Sequence, residues 1–312
     1  MAQKPVVTKP VDVVDAPGIT VTEYFGRVAT KDSTTSFARA KVKGADAANF
    51  QAPQFSEYVI CTSGCIELEH SDSTRTRVEA GQGVFLPKGL RIKWTWPGAA
   101  EYLAVCLPAF SPELAGTEVD DSSGGVVDQE ARRKLAKLHQ GAGAQPEAEE
   151  SGAALDARPI VVKPVDVVSA EQITITEHFG HVASSDGTAS FAIATVKSAS
   201  EEAFQAPQFD EYVVCIEGAI DFFHESVEGV GERTHVQAGE AVFLPKGLRV
   251  KWIWPEPTKY AVLCLPAFSP AISGREAEEG ATVAKDSASM SRLEDLHKSA
   301  ACGDSAPPHA GA

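Results

Sequence analysis

The chain has 312 residues, of which 43% are hydrophobic, 23% are charged and 7% are aromatic, and its formal net charge is −15. This length suits two domains, and the acidic balance disfavours broad nucleic-acid binding and docking on anionic membranes. No apolar run approaches the ~18 residues of a membrane span, and the first residues lack a signal-peptide pattern. We therefore expect a soluble cytoplasmic protein.

Short runs rich in β-branched and aromatic residues follow one another from the start of the chain, separated by Gly, Pro, Asp and Ser. Such runs predict β-strands, and their even spacing predicts a sandwich or barrel. In the first half of the chain the predicted strands are Ile19–Tyr24, Ser36–Val42, Glu57–Thr62, Ile66–His70, Thr76–Val78, Val84–Leu86, Arg91–Trp96 and Tyr102–Leu107.

The strand pattern is part of an internal repeat. Residues 50–64 return as residues 204–218 with 11 identities in 15 positions, at an offset of 154. Residues 81–97 return as residues 239–255 with 13 identities in 17, at an offset of 158. The four extra residues of the second copy are predicted in a hairpin near Gly229. The chain is therefore two copies of one module.

A helical pattern with leucines at i,i+3 spacing closes each copy, over residues 130–140 and 291–300. The segment between the copies holds four acids and no base, which is typical of a flexible linker. We predict a first domain at residues 1–140, an acidic flexible linker at 141–157, a second domain at 158–300 and a disordered tail at 301–312.

Two spaced motifs resemble those of the cupin superfamily. The first cupin motif ends in Glu, six residues and Gly. Glu57 with Gly64, and Glu211 with Gly218, match this pattern.

The second cupin motif is Gly, five residues, Pro-x-Gly, two residues and His. Residues 81–89 and 239–247 match it up to the His, whose place is held by Ile92 and Val250. The resemblance implies an all-β bicupin: two tandem jelly-roll-like barrels, each followed by a short helix.

Two branches of the superfamily look most similar. The Pro-Lys-Gly turn followed by Trp94 resembles the small cupins related to the ureidoglycine aminohydrolase domain. The same turn together with the ending Leu107-Pro108-Ala109 resembles the ethanolamine-utilisation cupins. Neither resemblance implies a particular substrate.

The resemblance also implies a metal site, which in cupins uses two or three His and one Glu. Here only Glu57 and Glu211 remain as weak metal candidates, and Gln51 and Gln205 offer at most a carbonyl oxygen. A Glu–Gln pair without imidazole is a poor transition-metal site. We therefore expect a degenerate site without a metal cofactor, with a divalent Mn, Fe, Ni or Zn ion as the alternative.

A small-molecule pocket inside each barrel is the second prediction. If Glu57 points inward, strand alternation puts Cys61 on the same face. In the second motif, Trp94 lies two residues after Ile92, which holds the place of the missing histidine, so both point inward. The alternative is that the tryptophans fill a dry core. The predicted pocket residues are Gln51, Glu57, Cys61, Trp94, Gln205, Glu211, Cys215 and Trp252.

The positions of the cysteines predict buried, inert thiols rather than disulfides or catalytic nucleophiles. Cys61 and Cys106 recur as Cys215 and Cys264, all within strand patterns, and no repeated His is placed beside them as a base. Cys302 falls in the predicted tail.

Two groups of polar residues have competing interpretations. His178 and His181 occur only in the second copy, where they could add metal ligands or simply be solvated at a strand end. The basic trio Lys88, Arg91 and Lys93 recurs in the second copy and could contact an anion at the barrel mouth or form surface ion pairs.

Three functions remain open from the sequence. The favoured one is a non-catalytic or regulatory bicupin that binds a small polar metabolite in its barrels. The alternatives are a small-metabolite enzyme of lyase, isomerase or amidohydrolase type that uses Glu57 and Glu211, and a structural or storage bicupin. The expected partner is a small molecule, with neither nucleic acid nor membrane, and the expected assembly is a monomer or small homo-oligomer.

Overall fold

The structure, a computed structural model, describes residues 3–118, 129–140, 158–225, 229–276 and 287–301. The chain divides into two compact units. One unit holds the described residues within Lys9–Val162, and the other holds those within Met1–Thr8 and Lys163–Ala312. The first of these contains the first barrel, and the second contains the second barrel.

Both units are built from antiparallel strands. The strands of the first half are β1 (Val6–Thr8), β2 (Val11–Asp15), β3 (Ile19–Phe25), β4 (Ser36–Val42), β5 (Asp46–Gln51), β6 (Ser56–Ser63), β7 (Cys65–His70), β8 (Arg75–Glu79), β9 (Gly83–Leu86), β10 (Ile92–Trp96) and β11 (Ala100–Leu107). Those of the second half are β12 (Ile160–Val162), β13 (Val165–Ser169), β14 (Ile173–Phe179), β15 (Ser190–Val196), β16 (Ser200–Glu201), β17 (Asp210–Glu217), β18 (Ala219–Glu225), β19 (Gly231–Gln237), β20 (Ala241–Leu244), β21 (Val250–Trp254) and β22 (Thr258–Leu265).

Each barrel pairs a seven-stranded sheet with a four-stranded sheet. In the first barrel the strand orders are β12-β9-β6-β11-β4-β3-β2 and β5-β10-β7-β8. In the second barrel they are β1-β20-β17-β22-β15-β14-β13 and β16-β21-β18-β19. The predicted all-β fold of two tandem barrels is confirmed, and so are the predicted strands, with ends that differ by a few residues.

The two sheets of a barrel face each other across an apolar core because the side chains alternate along each strand. In β10, Ile92, Trp94 and Trp96 are buried, whereas Lys93 and Thr95 are only partly so. In β7, Ile66 and Leu68 are fully buried. The inner faces of both sheets thereby form one continuous hydrophobic cluster in each barrel.

A helix packs on each barrel as the leucine spacing predicted. The helix α1 spans Gln129–His139 and contacts β2, and α2 spans Ser287–Ala301 and contacts β13. Leu135 packs against the core of the first barrel, and Leu293 is buried in that of the second. A short 3₁₀ turn, Pro270–Ile272, precedes α2. No helix within the described ranges is long and apolar enough to cross a membrane.

The structure assigns two short segments differently from the sequence-based boundaries. Strand β1 pairs with β20 and belongs to the second barrel, and β12 pairs with β9 and belongs to the first. The sequence could not reveal this because Val6–Thr8 and Ile160–Val162 occupy equivalent places in the two copies. The predicted linker at 141–157, Cys302 and the predicted tail after residue 301 lie outside the described residues.

The glycine that ends the first cupin-like motif is required by the backbone. Gly64 has φ +71°, and a Cβ placed there would lie 2.2 Å from the carbonyl oxygen of Ala99. Gly218 repeats this with φ +74° and a distance of 2.3 Å from the Pro257 oxygen. Only glycine tolerates both the left-handed conformation and the close approach. This tight turn lets β6 run directly into β7, and β17 into β18.

Candidate ligand-binding cavities

Each barrel encloses a cavity between its two sheets and beneath its helix. The cavity volume is about 200 Å³ in the first barrel and about 150 Å³ in the second. Most of the wall is apolar. The polar and aromatic lining residues of the first cavity are Glu23, Ser36, Gln51, Phe55, Glu57, Trp94, Trp96, Tyr102, Cys106 and Phe110. Those of the second are Glu177, Ser190, Glu202, Gln205, Glu211, Trp252, Trp254, Tyr260, Cys264, Phe268 and Arg275.

A row of polar side chains crosses the larger sheet on the cavity side. In the first barrel the register pairs Glu57 of β6 with Cys106 of β11, and Cys106 with Ser36 of β4. The second barrel repeats the row with Glu211, Cys264 and Ser190. Adjacent strands therefore bring a carboxyl, a thiol and a hydroxyl side by side at one end of each cavity.

The two motif glutamates are the carboxyl groups of this row, and burial changes their titration. Burial raises the pKa of Glu57 to about 7 and that of Glu211 to about 8. Glu57 keeps some accessible surface, as a cavity-lining side chain does, whereas Glu211 is only 6% exposed. Oε2 of Glu211 has no hydrogen-bond partner among the described residues. Near neutral pH both carboxyls thus carry a proton for much of the time and can donate a hydrogen bond.

A second glutamate in each cavity has a structural role. Oε1 of Glu23 accepts hydrogen bonds from the backbone amides of Val28 and Ala29, at 2.8 and 2.7 Å. Glu177 accepts the same pair of bonds from Val182 and Ala183. Burial nevertheless raises the pKa of both carboxyls, to about 7 for Glu177. These acids hold the loop after β3 or β14.

Indole rings of the smaller sheet form the opposite wall, and a tyrosine of the larger sheet packs against them in each cavity. In the first cavity the ring of Tyr102 stacks on Trp94 at 5.5 Å and on Trp96 at 6.3 Å between centroids. Tyr260 lies in the same way at 5.5 Å from Trp252 and 6.1 Å from Trp254.

The indole nitrogens of this wall are unusual. Within the described part of the chain, none of the four buried indole N–H groups has a hydrogen-bond acceptor. A buried tryptophan normally finds one. Two tryptophans that line each cavity therefore carry a buried donor that no described protein group satisfies: Trp94 and Trp96 in the first barrel, and Trp252 and Trp254 in the second.

Six of the eight predicted pocket residues line the cavities. The first cavity is lined by Gln51, Glu57 and Trp94, and the second by Gln205, Glu211 and Trp252.

Cys61 and Cys215 do not line these cavities, which corrects the sequence prediction. The Sγ atom of Cys61 lies 3.5 Å from the Ser63 oxygen and 3.7 Å from the Gly64 oxygen, within the hydrophobic core. Burial raises the pKa of the Cys61 thiol to about 11 and that of Cys215 to about 12. Alternation gave the correct face, but the cavity occupies only the end of that face where Glu57 lies.

The thiols that do line the cavities are Cys106 and Cys264, which the sequence predicted only as buried. Burial, reinforced by the neighbouring motif glutamate, raises their pKa well above the usual range. A thiol held protonated is a poor nucleophile. Ser36 and Ser190 were missed because their cavity position depends on pairing with β11 and β22, which sequence alternation alone does not supply.

The two cavities differ most at one pair of equivalent positions. The second has Glu202 and Arg275, which form an ion pair, where the first copy has Ala48 and Thr117. Their side chains are 11% and 22% exposed, respectively. Comparison of the repeats could have flagged this pair, because an acid and a base are gained together.

The donor set does not fit a transition metal. Among the residues that the structure describes, no three or more His, Cys, Asp or Glu side chains form a group able to hold a metal ion, and no described imidazole lines either cavity. Ile92 and Val250 are buried at the motif-histidine positions. Burial keeps the motif glutamates protonated for much of the time near neutral pH, and a neutral carboxyl is a weak ligand.

The histidines found only in the second copy do not join the cavity. His178 is 4% exposed, so its predicted solvation is wrong, and burial lowers its pKa to about 4. The ring of His181 packs at 6.2 Å from that of His297 in α2. Neither residue lines the second cavity.

The arginine of the basic trio forms an ion pair in each copy, as the second interpretation proposed for the trio. Arg91 donates from Nε and Nη2 to Glu118 at 2.6 and 2.7 Å, and its guanidinium lies 3.9 Å above the Phe50 ring. Arg249 repeats the arrangement with Glu276 and Phe204.

Comparison with known proteins supports the fold. No family model matches the chain. A structure of oxalate decarboxylase from Bacillus subtilis, determined at pH 4.6, superposes with a TM-score of 0.60 at 12% identity, over 86% of this chain and 77% of that one. A second structure of that enzyme, whose study concerns its Mn(II) centres, gives 0.60 at 13% identity over 90% and 80%. At this identity the likeness shows the tandem cupin fold.

One curated protein matches part of the sequence. Endoribonuclease YbeY of Myxococcus xanthus (strain DK1622) is 33% identical over 103 residues, which cover 32% of this chain and 35% of that protein. The chain therefore spans about a third of the length of this curated relative.

Proposed function

We propose that this bicupin binds a small polar metabolite in its barrel cavities and acts as a non-catalytic or regulatory module. The observation that carries the proposal is the set of hydrogen-bonding groups left without partners among the described residues, in an otherwise apolar wall. Each cavity has two such indole N–H groups, and Glu211 adds a carboxyl oxygen. A small molecule with acceptor atoms would satisfy the indole donors.

A purely structural role accounts for these groups poorly. A buried polar group without a partner costs about 1–3 kcal/mol, and each barrel carries at least two. Phenylalanine would supply an aromatic ring without that cost. That both copies keep tryptophan at both positions supports a role in binding rather than filling.

An enzyme of lyase, isomerase or amidohydrolase type is the second candidate, and the pKa values of the motif glutamates favour it. A carboxyl with a pKa of about 7 or 8 can give or take a proton near neutral pH. Among the described lining residues, no imidazole or low-pKa thiol is present to act as its partner. Binding without chemistry is therefore preferred.

The cavities and the charge of the chain do not favour the activities of the similar proteins. The manganese centres studied in oxalate decarboxylase need a ligand set for which the described walls of both cavities lack the imidazoles. One partial match is to an endoribonuclease, but this chain has a net charge of −15, which opposes contact with RNA phosphates.

Thermal shift with a panel of small acids, amides and amines tests the proposal. We expect at least one compound to raise the melting temperature, and the Trp94→Phe, Trp252→Phe double variant to lose much of the shift because two indole donors are removed. If no compound shifts the wild-type protein, the structural role is favoured. Turnover of a bound compound that is abolished in Glu57→Gln, Glu211→Gln would favour the enzyme.

Metal analysis of the purified protein tests the alternative that a divalent metal ion is bound in the barrels. We expect less than one Mn, Fe, Ni or Zn ion per chain. About one ion per barrel, lost in the Glu57→Gln, Glu211→Gln double variant, would contradict the non-metal site.

We also propose that the protein is cytoplasmic and is a monomer or a small homo-oligomer. Light scattering should therefore give a mass of 33.0 kDa or a small multiple of it.

A further inference from the structure

The second cavity contains a cation that the first lacks at the equivalent position. Glu202 follows β16, and Arg275 lies in the segment after the 3₁₀ turn, where its backbone bridges to Gln205. The ion pair joins Nη2 of Arg275 to Oε2 of Glu202. Both residues line the cavity that also contains Glu211. The corresponding residues of the first copy, Ala48 and Thr117, carry no charge.

Arg275 has more donors than this one pair uses. An arginine has five N–H donors arranged in a fork, and the bond to Glu202 involves only Nη2. Within the described residues, no other side chain bonds to the Nε or Nη1 of Arg275. With 22% of its side chain exposed, the guanidinium is shielded enough from water for a further charge-assisted bond to count.

Hydrogen-bond donors predominate in this cavity. The unpartnered N–H groups of Trp252 and Trp254 add to the remaining donors of Arg275. The protonated carboxyl of Glu211 is a further donor. Among the acceptors, Oε2 of Glu202 is bonded to Arg275 and Oε1 of Glu177 to backbone amides, and Oε1 of Glu202 is also a buried acceptor. The complementary ligand is rich in acceptors, and the local cation favours an anion.

Size limits the rest of the ligand. An apolar cavity of about 150 Å³ holds a molecule about as large as benzene. The rings of Trp252, Trp254 and Tyr260 offer flat faces for such a group.

Building on the proposed function, we propose that the second cavity is a carboxylate site for a small monocarboxylic acid with a ring-sized apolar body. The carboxylate binds the unused donors of Arg275 and the indole donors, and the apolar body packs against the aromatic wall. Glu202 orients Arg275, and its own charge weakens the binding of the anion. The described part of the first cavity has no equivalent cation beside its glutamate and does not share this preference.

Calorimetric titration of the full chain with benzoate and with benzamide, its uncharged isostere, tests the proposal at pH 7. Arg275→Thr, which introduces the first-copy residue, should weaken benzoate binding about tenfold to a hundredfold, the value of one charge-assisted bond. Glu202→Gln keeps an acceptor for Arg275 but removes the charge, so benzoate should bind several-fold more tightly. Both variants should leave benzamide affinity within about twofold.

The opposite signs of the two variants distinguish a site from a structural ion pair, since general destabilisation would weaken binding in both. Arg249→Gln is the matched control: it removes a surface cation of the same barrel that does not line the cavity, and it should not change benzoate affinity. Retention of wild-type benzoate affinity in Arg275→Thr would overturn the carboxylate site. So would an equal change of the benzoate and benzamide affinities in the two variants.

Failure of the wider proposal has a different signature. If panel compounds bind but none depends on Arg275, the carboxylate site is wrong while ligand binding stands. If benzoate, benzamide and every panel compound fail to bind, both the carboxylate site and the proposed function are overturned.

Discussion

The two barrels share a framework and differ in the charge of their cavities. Both keep the row of glutamate, cysteine and serine and the paired tryptophans. At the positions that correspond between the copies, the second adds an ion pair, between Glu202 and Arg275, and a buried histidine, His178, where the first has Tyr24. The ion pair lies in the cavity and His178 follows Glu177, which lines it, whereas the strand framework is repeated. Duplication has thus preserved one scaffold while the two interiors have diverged in electrostatics.

The aromatic wall offers the largest expected effect on stability. Trp252→Ala should lower the free energy of unfolding by about 3–5 kcal/mol, because it removes a large buried side chain beside an existing cavity. Trp94→Ala should cost less, since Trp252 also packs edge-to-face on Phe222 at 4.7 Å, where the first copy has Leu68. Urea unfolding followed by circular dichroism measures both. Equal losses would show that the Phe222 contact contributes nothing.

The motif glutamates should make stability depend on pH, more strongly in the second barrel. Both folded pKa values lie above the ordinary 4.5, so the unfolded chain loses these protons first and stability falls as pH rises. The loss should run from about pH 4.5 to 7 for Glu57 and to 8 for Glu211.

Glu211→Gln should therefore recover on the order of 5 kcal/mol at pH 9 relative to pH 4, and Glu57→Gln on the order of 3 kcal/mol. Urea unfolding at the two pH values measures this. A wild-type protein equally stable at both would contradict the burial of these carboxyls.

His178 should act in the opposite direction and only in the second barrel. Burial lowers its folded pKa to about 4 from an ordinary 6.5, so the unfolded chain gains the proton first and stability is lost as pH falls through this interval. His178→Tyr, the first-copy residue, should reduce the loss between pH 6.5 and 4 by on the order of 2 kcal/mol.

The fold could be predicted from the sequence because the repeat showed each pattern twice. Strand alternation also placed Glu57 and Trp94 on the inner face, and leucine spacing placed both helices. The exchange of β1 and β12 could not be predicted, since Val6–Thr8 and Ile160–Val162 fit either barrel equally well by pattern. Which of two equivalent segments completes a sheet depends on the path of the chain in space.

The cavities were predicted less completely than the fold. Alternation tells which face a side chain occupies but not how far along that face the space is filled, so Cys61 was placed in the pocket and Cys106 was not. Arg275 was missed because it lies in an irregular segment and reaches the cavity through a bridge to Gln205. Its contribution arises from tertiary pairing, which a prediction based on the shared motifs does not reveal.

The smallest expected effect comes from the surface ion pairs, in which the two barrels should behave alike. Glu118→Gln and Glu276→Gln each remove the bidentate partner of a largely exposed arginine, so each should cost about 0–1 kcal/mol. Because Arg91 and Arg249 also stack on Phe50 and Phe204, they should keep their positions after the change. Unfolding in low salt and in 1 M salt measures the loss, which should shrink on screening. A much larger loss in one barrel would mean that its arginine has a role beyond surface pairing, and the divergence of the two copies would then extend from the cavities to the surface.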